Sequence, residues 1–174
     1  MDRTIEAARR GERDAQSRLL RQLQDPWYRM CLGLLRDADL AREAVQETAL
    51  RFLQNLHKYR GDSKLQTWSM GIAINVSREF RRMPRVGGGQ NQETSEPAGM
   101  DDPAGNVEDD EQQEALRTVL EQLPDRQREA VILRFFEQLS VEESAQAMGC
   151  ATGTVKATVH QALRALREKL KQWT

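Results

Sequence analysis

A stretch near the middle of the chain, residues 86–110, divides the sequence into two parts. It reads VGGGQNQETSEPAGMDDPAGNVEDD and combines glycine, proline and acidic residues with almost no large apolar side chain. Such a composition cannot bury enough apolar surface to offset the entropy cost of ordering the backbone. The sequence therefore predicts a flexible acidic linker at 86–110, with one small domain at 1–85 and a second at 111–174.

The charged residues are distributed unevenly around this linker. Residues 1–86 carry 17 Lys and Arg and 11 Asp and Glu, a net charge of +6. Residues 87–111 carry 8 acids and no base, a net charge of −8, and residues 112–174 carry 9 bases and 8 acids, a net charge of +1. The sum is the net charge of −1 of the whole chain. A basic block, an acidic connector and a near-neutral block indicate distinct roles.

Both blocks are predicted to be helical, which makes the fold class all-α. Apolar residues before the linker recur with a period of 3.6 and do not alternate, so three or four helices are expected there, with a kink or break at Pro26. Four more helices are expected after the linker. Ser140 and Glu143 have the spacing of a capping box at the start of the third, and Gly149 follows its end.

The last two helices, 140–148 and 154–171, have the spacing of a helix-turn-helix. A buried stripe is predicted on the last helix at Val155, Val159, Ala162, Leu166 and Leu170. The residues predicted to lie away from this stripe are Lys156, Ala157, His160, Gln161, Arg164 and Arg167. Side chains of these types can reach base edges or phosphates in a major groove. A helical hairpin with a solvated face is the alternative interpretation.

An unusual polar face is predicted on the helix at 39–56 of the first block. Its members share positions spaced i, i+3, i+4, i+7 and i+11: Glu43, Gln46, Glu47, Leu50 and Gln54. The apolar stripe of the same helix, at Ala41, Val45, Phe52 and Leu56, points elsewhere. An acidic surface that contains one leucine suits a partner helix carrying Arg or Lys, whereas a solvated charged face is the alternative.

Three stretches of the chain resemble the extracytoplasmic-function (ECF) group of bacterial RNA polymerase sigma factors, in the order and spacing of that family. AREAVQETALRFLQNL looks like region 2.2, and YRGDSKLQTWSMGIAINVSREFRR looks like regions 2.3 and 2.4. Residues 120–170, from LEQLPDRQREA to LREKL, look like region 4. The resemblance implies a region 2 domain that binds core polymerase and the minus-ten promoter element. It also implies a region 4 domain that binds the minus-thirty-five element and the polymerase flap.

Site residues follow from this resemblance. Glu43, Gln46, Glu47 and Leu50 would dock on the clamp coiled-coil of the beta-prime subunit. Residues 59–67 would form a pocket for one flipped base of the minus-ten element, because a break between helices leaves backbone groups free to read a base edge. The residues expected to contact minus-ten DNA are Tyr59, Arg60, Gly61, Asp62, Ser63, Lys64, Asn75, Arg78, Arg81 and Arg82. Trp68 would anchor the loop.

The minus-thirty-five element would be contacted by the first part of the last helix. The expected residues are Thr154, Lys156, Ala157, His160, Gln161 and Arg164. The family often has Ser-Arg where this chain has Ala157-Thr158, and a basic residue where it has Gln161, so weaker or more selective binding is expected. The family's Phe is replaced by Leu65 in the loop, and its Arg by Ile74 before Asn75.

The resemblance also implies regulation by an anti-sigma factor that clamps both domains. The flexible linker would allow this, because each domain could reorient separately. We expect no cofactor and no metal, since Cys31 and Cys150 are isolated and predicted to be reduced core residues. No run of 18 apolar residues and no leader segment is visible, so a cytoplasmic protein without direct membrane insertion is expected.

Three other functions compete with this interpretation. A DNA-binding regulator with an N-terminal partner-binding domain would bind promoter duplex without polymerase. An RNA-processing or nucleotide enzyme is disfavoured, because no set of nucleophile, base and acid is visible and GGGQ lies in the linker with no strand before it. An adhesion role for Arg60-Gly61-Asp62 would need an extracellular protein.

Overall fold

The computed structural model describes residues 3–83, 118 and 120–171, except the side chain of Leu170, and the structural statements below concern these residues. The N-terminal half (residues 3–83) contains four α-helices: α1 (Arg3–Arg9), α2 (Arg13–Leu35), α3 (Ala38–Asn55) and α4 (Leu65–Arg82). A 3-10 turn, Leu56–Lys58, follows α3. The predicted linker at 86–110 lies outside the described residues.

The C-terminal half (residues 120–171) is also helical. It contains α5 (Asp125–Val131), which continues into a π-helical turn (Ile132–Phe136), then α6 (Val141–Met148) and α7 (Thr152–Lys171). Thr118, Leu120 and Glu121, just before α5, are helical as well. No strand occurs in either described half, and the predicted all-α class is confirmed.

Local backbone and side-chain contacts define the C-terminal end of α2 and the N-terminal ends of α3 and α6. Arg36 ends α2 with a left-handed backbone (φ 57°), and the Asp37 carboxylate caps α3 by accepting hydrogen bonds from the N–H groups of Asp39 and Leu40, both at 3.0 Å. The predicted capping box of Ser140 and Glu143 is confirmed in both directions, at 3.0 and 2.8 Å.

Two further local predictions have different outcomes. Gly149 ends α6 in the left-handed conformation (φ 66°), as predicted. Of the predicted kink or break at Pro26, the break is wrong, because α2 is one helix of 23 residues that contains Pro26. The packing of buried side chains on this helix, including the neighbouring Trp27, outweighs the backbone hydrogen bond that a proline cannot donate.

A row of aromatic rings fills the centre of the N-terminal half. Trp27 contacts Phe52 with ring centroids 5.4 Å apart, Phe52 contacts Trp68 at 5.7 Å, and Trp68 contacts Tyr59 at 5.4 Å. The indole N–H of Trp27 donates a 3.0 Å hydrogen bond to Ser69 Oγ, so its polar edge is satisfied in the core. These contacts connect α2, α3 and α4 with the segment between α3 and α4.

The two halves pack against each other. The main apolar cluster continues from the N-terminal half into buried residues of the C-terminal half, including Ala130, Leu133, Met148 and Val155. A Cβ added to Gly71 of α4 would lie 3.4 Å from the carbonyl oxygen of Ala147 in α6, so the two backbones approach closely. This packing differs from the expectation that the two blocks reorient separately.

Candidate nucleic-acid and polymerase interfaces

The segment between α3 and α4 is a tight loop with a glycine at its turn. Gly61 has φ 84°, a conformation that favours glycine over residues with a Cβ. Arg60, Asp62 and Lys64 are exposed around it, while Ser63 is half-buried. The structure thus presents the loop residues that the sequence predicted, with Tyr59 as the exception.

Tyr59 is a core residue in this structure. Its ring is buried against Trp68, and its hydroxyl donates a 2.5 Å hydrogen bond to the carbonyl oxygen of Ser63. Burial, followed by the nearby charge of Asp62, raises the pKa of Tyr59. The prediction that Tyr59 contacts DNA directly needs correction, because the ring cannot stack on a base without leaving the core. Tyr59 shares with Trp68 the role of anchoring the loop.

The predicted DNA-binding residues of α4 lie along one side of that helix. Arg78 Nη1 donates to Asn75 Oδ1 at 3.3 Å, and Arg82 is exposed at the end of the helix. A groove of about 380 Å³ runs between α3 and α4, lined by polar side chains that include Arg51, Asn75 and Arg82. Within this groove Arg51 is paired with Glu79, whereas Arg82 is exposed.

A carboxylate of the C-terminal half forms ion pairs with the arginines on this side of α4. Glu129 of α5 is fully buried, with a side-chain exposure of 0%. Arg78 donates to both of its oxygens, at 3.0 and 2.7 Å, Arg81 donates to one at 2.9 Å, and Arg126 donates to the other at 3.3 Å. Arg81 also forms a 3.0 Å ion pair with Asp125. Two of the arginines predicted to contact DNA are therefore paired within the chain.

The ionisation of Glu129 is set by two opposed effects. Burial alone raises the pKa of this carboxyl group, but the hydrogen bonds and charges of Arg78 and Arg81 outweigh burial and hold the pKa of Glu129 below its usual value. In turn, the hydrogen bonds to Glu129 raise the pKa of Arg78. The contact is therefore between a carboxylate and guanidinium cations at neutral pH.

Sequence reasoning missed Glu129 and Asp125. Both occur in DRQREA, where alternating charges have the pattern of an ordinary solvated helix face. One feature of the sequence could have indicated the burial of Glu129. Glu129 directly precedes the apolar residues Ala130 and Val131, which places its carboxylate beside the core.

The predicted polymerase-binding residues share a surface of α3. Glu43, Gln46, Leu50 and Gln54 are exposed and Glu47 is half-buried. The predicted apolar stripe points inward, since Ala41, Phe52 and Leu56 are buried and Val45 is half-buried. Leu50 is 52% exposed and adds an apolar side chain to this polar surface.

The predicted recognition surface of α7 is also exposed. Its exposed members are Thr154, Lys156, Ala157, His160, Gln161, Arg164 and Arg167. On the opposite side, Val155, Ala162 and Leu166 are buried and Val159 is half-buried. Leu170, the last predicted member of the stripe, has a side chain outside the described part of the structure.

The two cysteines differ in burial. Burial, only partly offset by a hydrogen bond from Ser77, raises the pKa of Cys31 to about 11. Cys150 is half-buried and is also a free thiol. Within residues 3–83 and 120–171, no group of three or more His, Cys, Asp or Glu side chains is placed to hold a metal ion. A search of the described helices found none that is long and apolar enough to cross a membrane.

Comparisons with known proteins identify relatives of both halves of the chain. The family model for Sigma-70 region 2 matches residues 19–85, and that for Sigma-70, region 4 matches residues 113–166. The chain is 34% identical over 161 residues to the RNA polymerase sigma-E factor of Streptomyces antibioticus, covering 88% of this chain and 83% of that protein. It is also 34% identical over 132 residues to the ECF RNA polymerase sigma factor EcfG of Rhodopseudomonas palustris (strain TIE-1), covering 75% of this chain and 71% of that protein.

A solved structure has a similar fold. The sigma factor RpoE of Bartonella quintana, in complex with the anti-sigma factor NepR, superposes with a TM-score of 0.65 at 24% identity, covering 89% of this chain and 96% of that chain. The sequence relatives establish the family, and this structure supports the fold. The chain therefore belongs to the extracytoplasmic-function sigma factors of the sigma-70 family, the non-catalytic transcription initiation factors that direct RNA polymerase to promoters.

Proposed function

We propose that this sigma factor divides promoter recognition between its two halves, within domains bounded at 1–85 and 111–174. The loop at 59–67 receives one flipped base of the minus-ten element, with Arg60, Asp62 and Lys64 at its mouth. The face of α4 contacts the neighbouring bases and phosphates through Asn75, Arg78, Arg81 and Arg82. The exposed surface of α7 enters the major groove of the minus-thirty-five element through Thr154, Lys156, Ala157, His160, Gln161 and Arg164.

The observation that carries this proposal is that one chain exposes two separate surfaces suited to DNA, the loop before α4 and the polar side of α7. The loop has exposed polar side chains around a left-handed Gly61, which gives it the tight turn that a base pocket needs. The polar side of α7 lies opposite its buried stripe, as in a recognition helix. A regulator that reads only duplex DNA would have no use for the first surface.

Contact with polymerase is assigned to both halves. Glu43, Gln46, Glu47 and Leu50 of α3 dock on basic residues of the beta-prime clamp helices. In the C-terminal half, the exposed rings of Phe135 and Phe136 offer apolar surface for the beta flap. The protein then acts in the cytoplasm, where polymerase and promoter DNA are found.

Regulation by an anti-sigma factor is part of the proposal. The structural relative from Bartonella quintana was solved with such a partner, which supports the same kind of control here. A partner that binds both halves would cover the polymerase-binding side of α3. Competition between this partner and core polymerase for the free sigma factor would test the assignment.

Transcription in vitro with core polymerase on a library of genomic promoters tests the function directly. We expect transcripts that start at a defined set of promoters and require this chain. Replacing residues 61–65 by the loop of a sigma factor of different specificity should change the preferred minus-ten base. An unchanged base preference would reject the pocket. Tight binding to promoter duplex without polymerase would favour the regulator.

A further inference from the structure

The arginines that the proposed function assigns to minus-ten DNA are covered in this structure by the chain's own C-terminal half. The side chains of Arg78 and Arg81 are only 20% and 18% exposed. Glu129 supplies the two oxygens that face them, within 3.0 Å. A carboxylate that accepts hydrogen bonds from several guanidinium groups resembles a phosphate in its negative charge and in its hydrogen-bond geometry.

The remaining contacts between the halves cover neighbouring parts of the same surface. Lys64 of the loop forms a 3.0 Å ion pair with Glu143 at the start of α6. Arg78 also donates to the carbonyl oxygen of Met148, at the end of α6, at 3.3 Å. The first helix of the helix-turn-helix therefore contacts Lys64 at the edge of the loop and Arg78 on α4, while Arg60 and Asp62 stay exposed.

A third set of contacts fixes the C-terminal half to α2, away from the DNA-binding residues. Arg29 of α2 donates to both carboxylate oxygens of Glu137, at 3.1 and 3.2 Å. Gly33 of α2 faces Ile132, where an added Cβ would lie 2.6 Å from the Ile132 Cδ1 atom. The covered surface is thus one side of a continuous interface with apolar packing and ion pairs.

We propose that the free chain inhibits its own minus-ten binding, with Glu129 occupying the place of a DNA phosphate between Arg78 and Arg81. This inference rests on the proposed function, which assigns those arginines to DNA. Glu129 and a phosphate cannot occupy the same guanidinium groups, so DNA binding requires the C-terminal half to move away. Binding to polymerase, which uses both halves, would hold them apart and expose the site.

The arginines are covered by the chain's own C-terminal half, because both sides of the interface belong to the described residues of one chain. The burial of Glu129 leads us to expect that the contact opens cooperatively. A carboxylate at 0% exposure is stable there only while the arginines surround it, so the interface is either formed as a whole or opened to water. Glu129 therefore competes with a DNA phosphate for the same arginines, and it does so from within the same chain.

Two variants open the interface by unrelated means. Glu129→Gln keeps the size of the side chain but removes the charge held by the arginines. Gly33→Phe places a ring against Ile132 and leaves every residue assigned to DNA unchanged. Gln24→Ala, on an exposed position of α2, is the matched control. The conformation is measured by electron-spin distances between labels at Ser17→Cys and Arg167→Cys, both exposed positions, in a Cys150→Ser background.

The functional measurement is binding of the free full-length chain to a fluorescent single-stranded oligonucleotide. This oligonucleotide carries the minus-ten non-template sequence of a promoter selected with the holoenzyme. We expect one short distance for the wild type and for Gln24→Ala, and a broad distribution for both opening variants. Their affinity for the oligonucleotide should rise on the order of tenfold, because apparent affinity scales with the open fraction.

Three outcomes decide whether the free chain inhibits its own binding to minus-ten DNA. A broad distance distribution in the wild-type chain would overturn the inference, because the closed state would not be populated. Opening without a gain in oligonucleotide affinity would overturn self-inhibition. Arg78→Ala in assembled holoenzyme separates the two proposals: a loss of promoter opening there, with no gain from Glu129→Gln in the free chain, would leave the proposed function standing and reject only the self-inhibition.

Discussion

Arg51 of α3 and Glu79 of α4 form a two-bond ion pair in which the terminal nitrogens of Arg51 donate to the two carboxylate oxygens, each at 2.7 Å. The Nε of Arg51 also donates to Glu47 at 2.6 Å. One guanidinium group therefore connects a residue proposed to bind polymerase with the helix proposed to bind minus-ten DNA. It fixes the relative position of the two helices.

Replacing Glu79 by Gln should destabilise the protein modestly. The side chains of Arg51 and Glu79 are 33% and 43% exposed, and partly solvated ion pairs of this kind contribute up to ~1 kcal/mol. Urea unfolding should show a loss of that order. Asp39→Asn removes the more exposed pair with Arg42 and serves as the control. An equal effect of the two substitutions would mean that the α3–α4 pair adds nothing specific.

The contribution of Glu79 should depend on pH in one direction. Its hydrogen bonds from Arg51 hold the pKa of Glu79 below the ordinary value of 4.5. A carboxyl group with a lowered folded-state pKa stabilises the fold above pH 4.5, and this stabilisation is lost as the pH falls through the folded-state pKa. The stability difference between wild type and Glu79→Gln should therefore be constant above pH 4.5 and shrink as the pH falls below it. A difference that also stays constant below pH 4.5 would contradict the ion pair.

Loss of the α3 surface should abolish binding to core polymerase. Each charge-assisted contact removed from a desolvated interface costs about 1.5–3 kcal/mol. Gln46→Ala with Glu47→Lys should prevent holoenzyme formation while the circular dichroism spectrum stays helical. Because Glu47 also contacts Arg51, Leu50→Ala provides an independent variant that leaves that contact intact. Core affinity equal to that of the Gln24→Ala control in both cases would reject the assignment.

Gln161→Ala should relax base selectivity in the minus-thirty-five element. A bidentate contact between a glutamine and a base is worth about 1–3 kcal/mol of discrimination. Selection of promoters from a randomised library with the variant holoenzyme should show loss of preference at one or two positions. Gln24→Ala, at an exposed position of α2, should leave the selected sequences unchanged. If Gln161→Ala selects the wild-type sequences at every position, Gln161 makes no base contact.

Gly61→Ala should strain the loop between α3 and α4. A residue with a Cβ at the left-handed φ of 84° is disfavoured by about 1–2 kcal/mol. We expect lower thermal stability and weaker open complexes on supercoiled promoters. Gly153→Ala is the matched control, because a Cβ at that position would meet no atom within 4 Å. Identical open-complex formation by the Gly61 variant and the control would show that the loop conformation is dispensable.

The sequence alone determined the all-α class, the caps of α6 and the family. Helical periodicity and capping are local, since the Ser140–Glu143 box and the Gly149 cap depend on residues a few positions apart. The same periodicity placed Lys156, Gln161 and Arg164 opposite the buried stripe of α7. These features could be predicted because neighbours along one helix determine them.

Only the tertiary structure decided which faces meet. The sequence pattern DRQREA is compatible both with acids that face water and with acids that face arginines. The pairing of Glu129 with Arg78, 51 residues away in sequence, could therefore not be predicted. The burial of Tyr59 depends on the position of Trp68, and the continuity of α2 through Pro26 depends on packing around Trp27. Each of these outcomes depends on contacts between different elements of the fold, whose free energy cannot be read from the periodicity of a single helix.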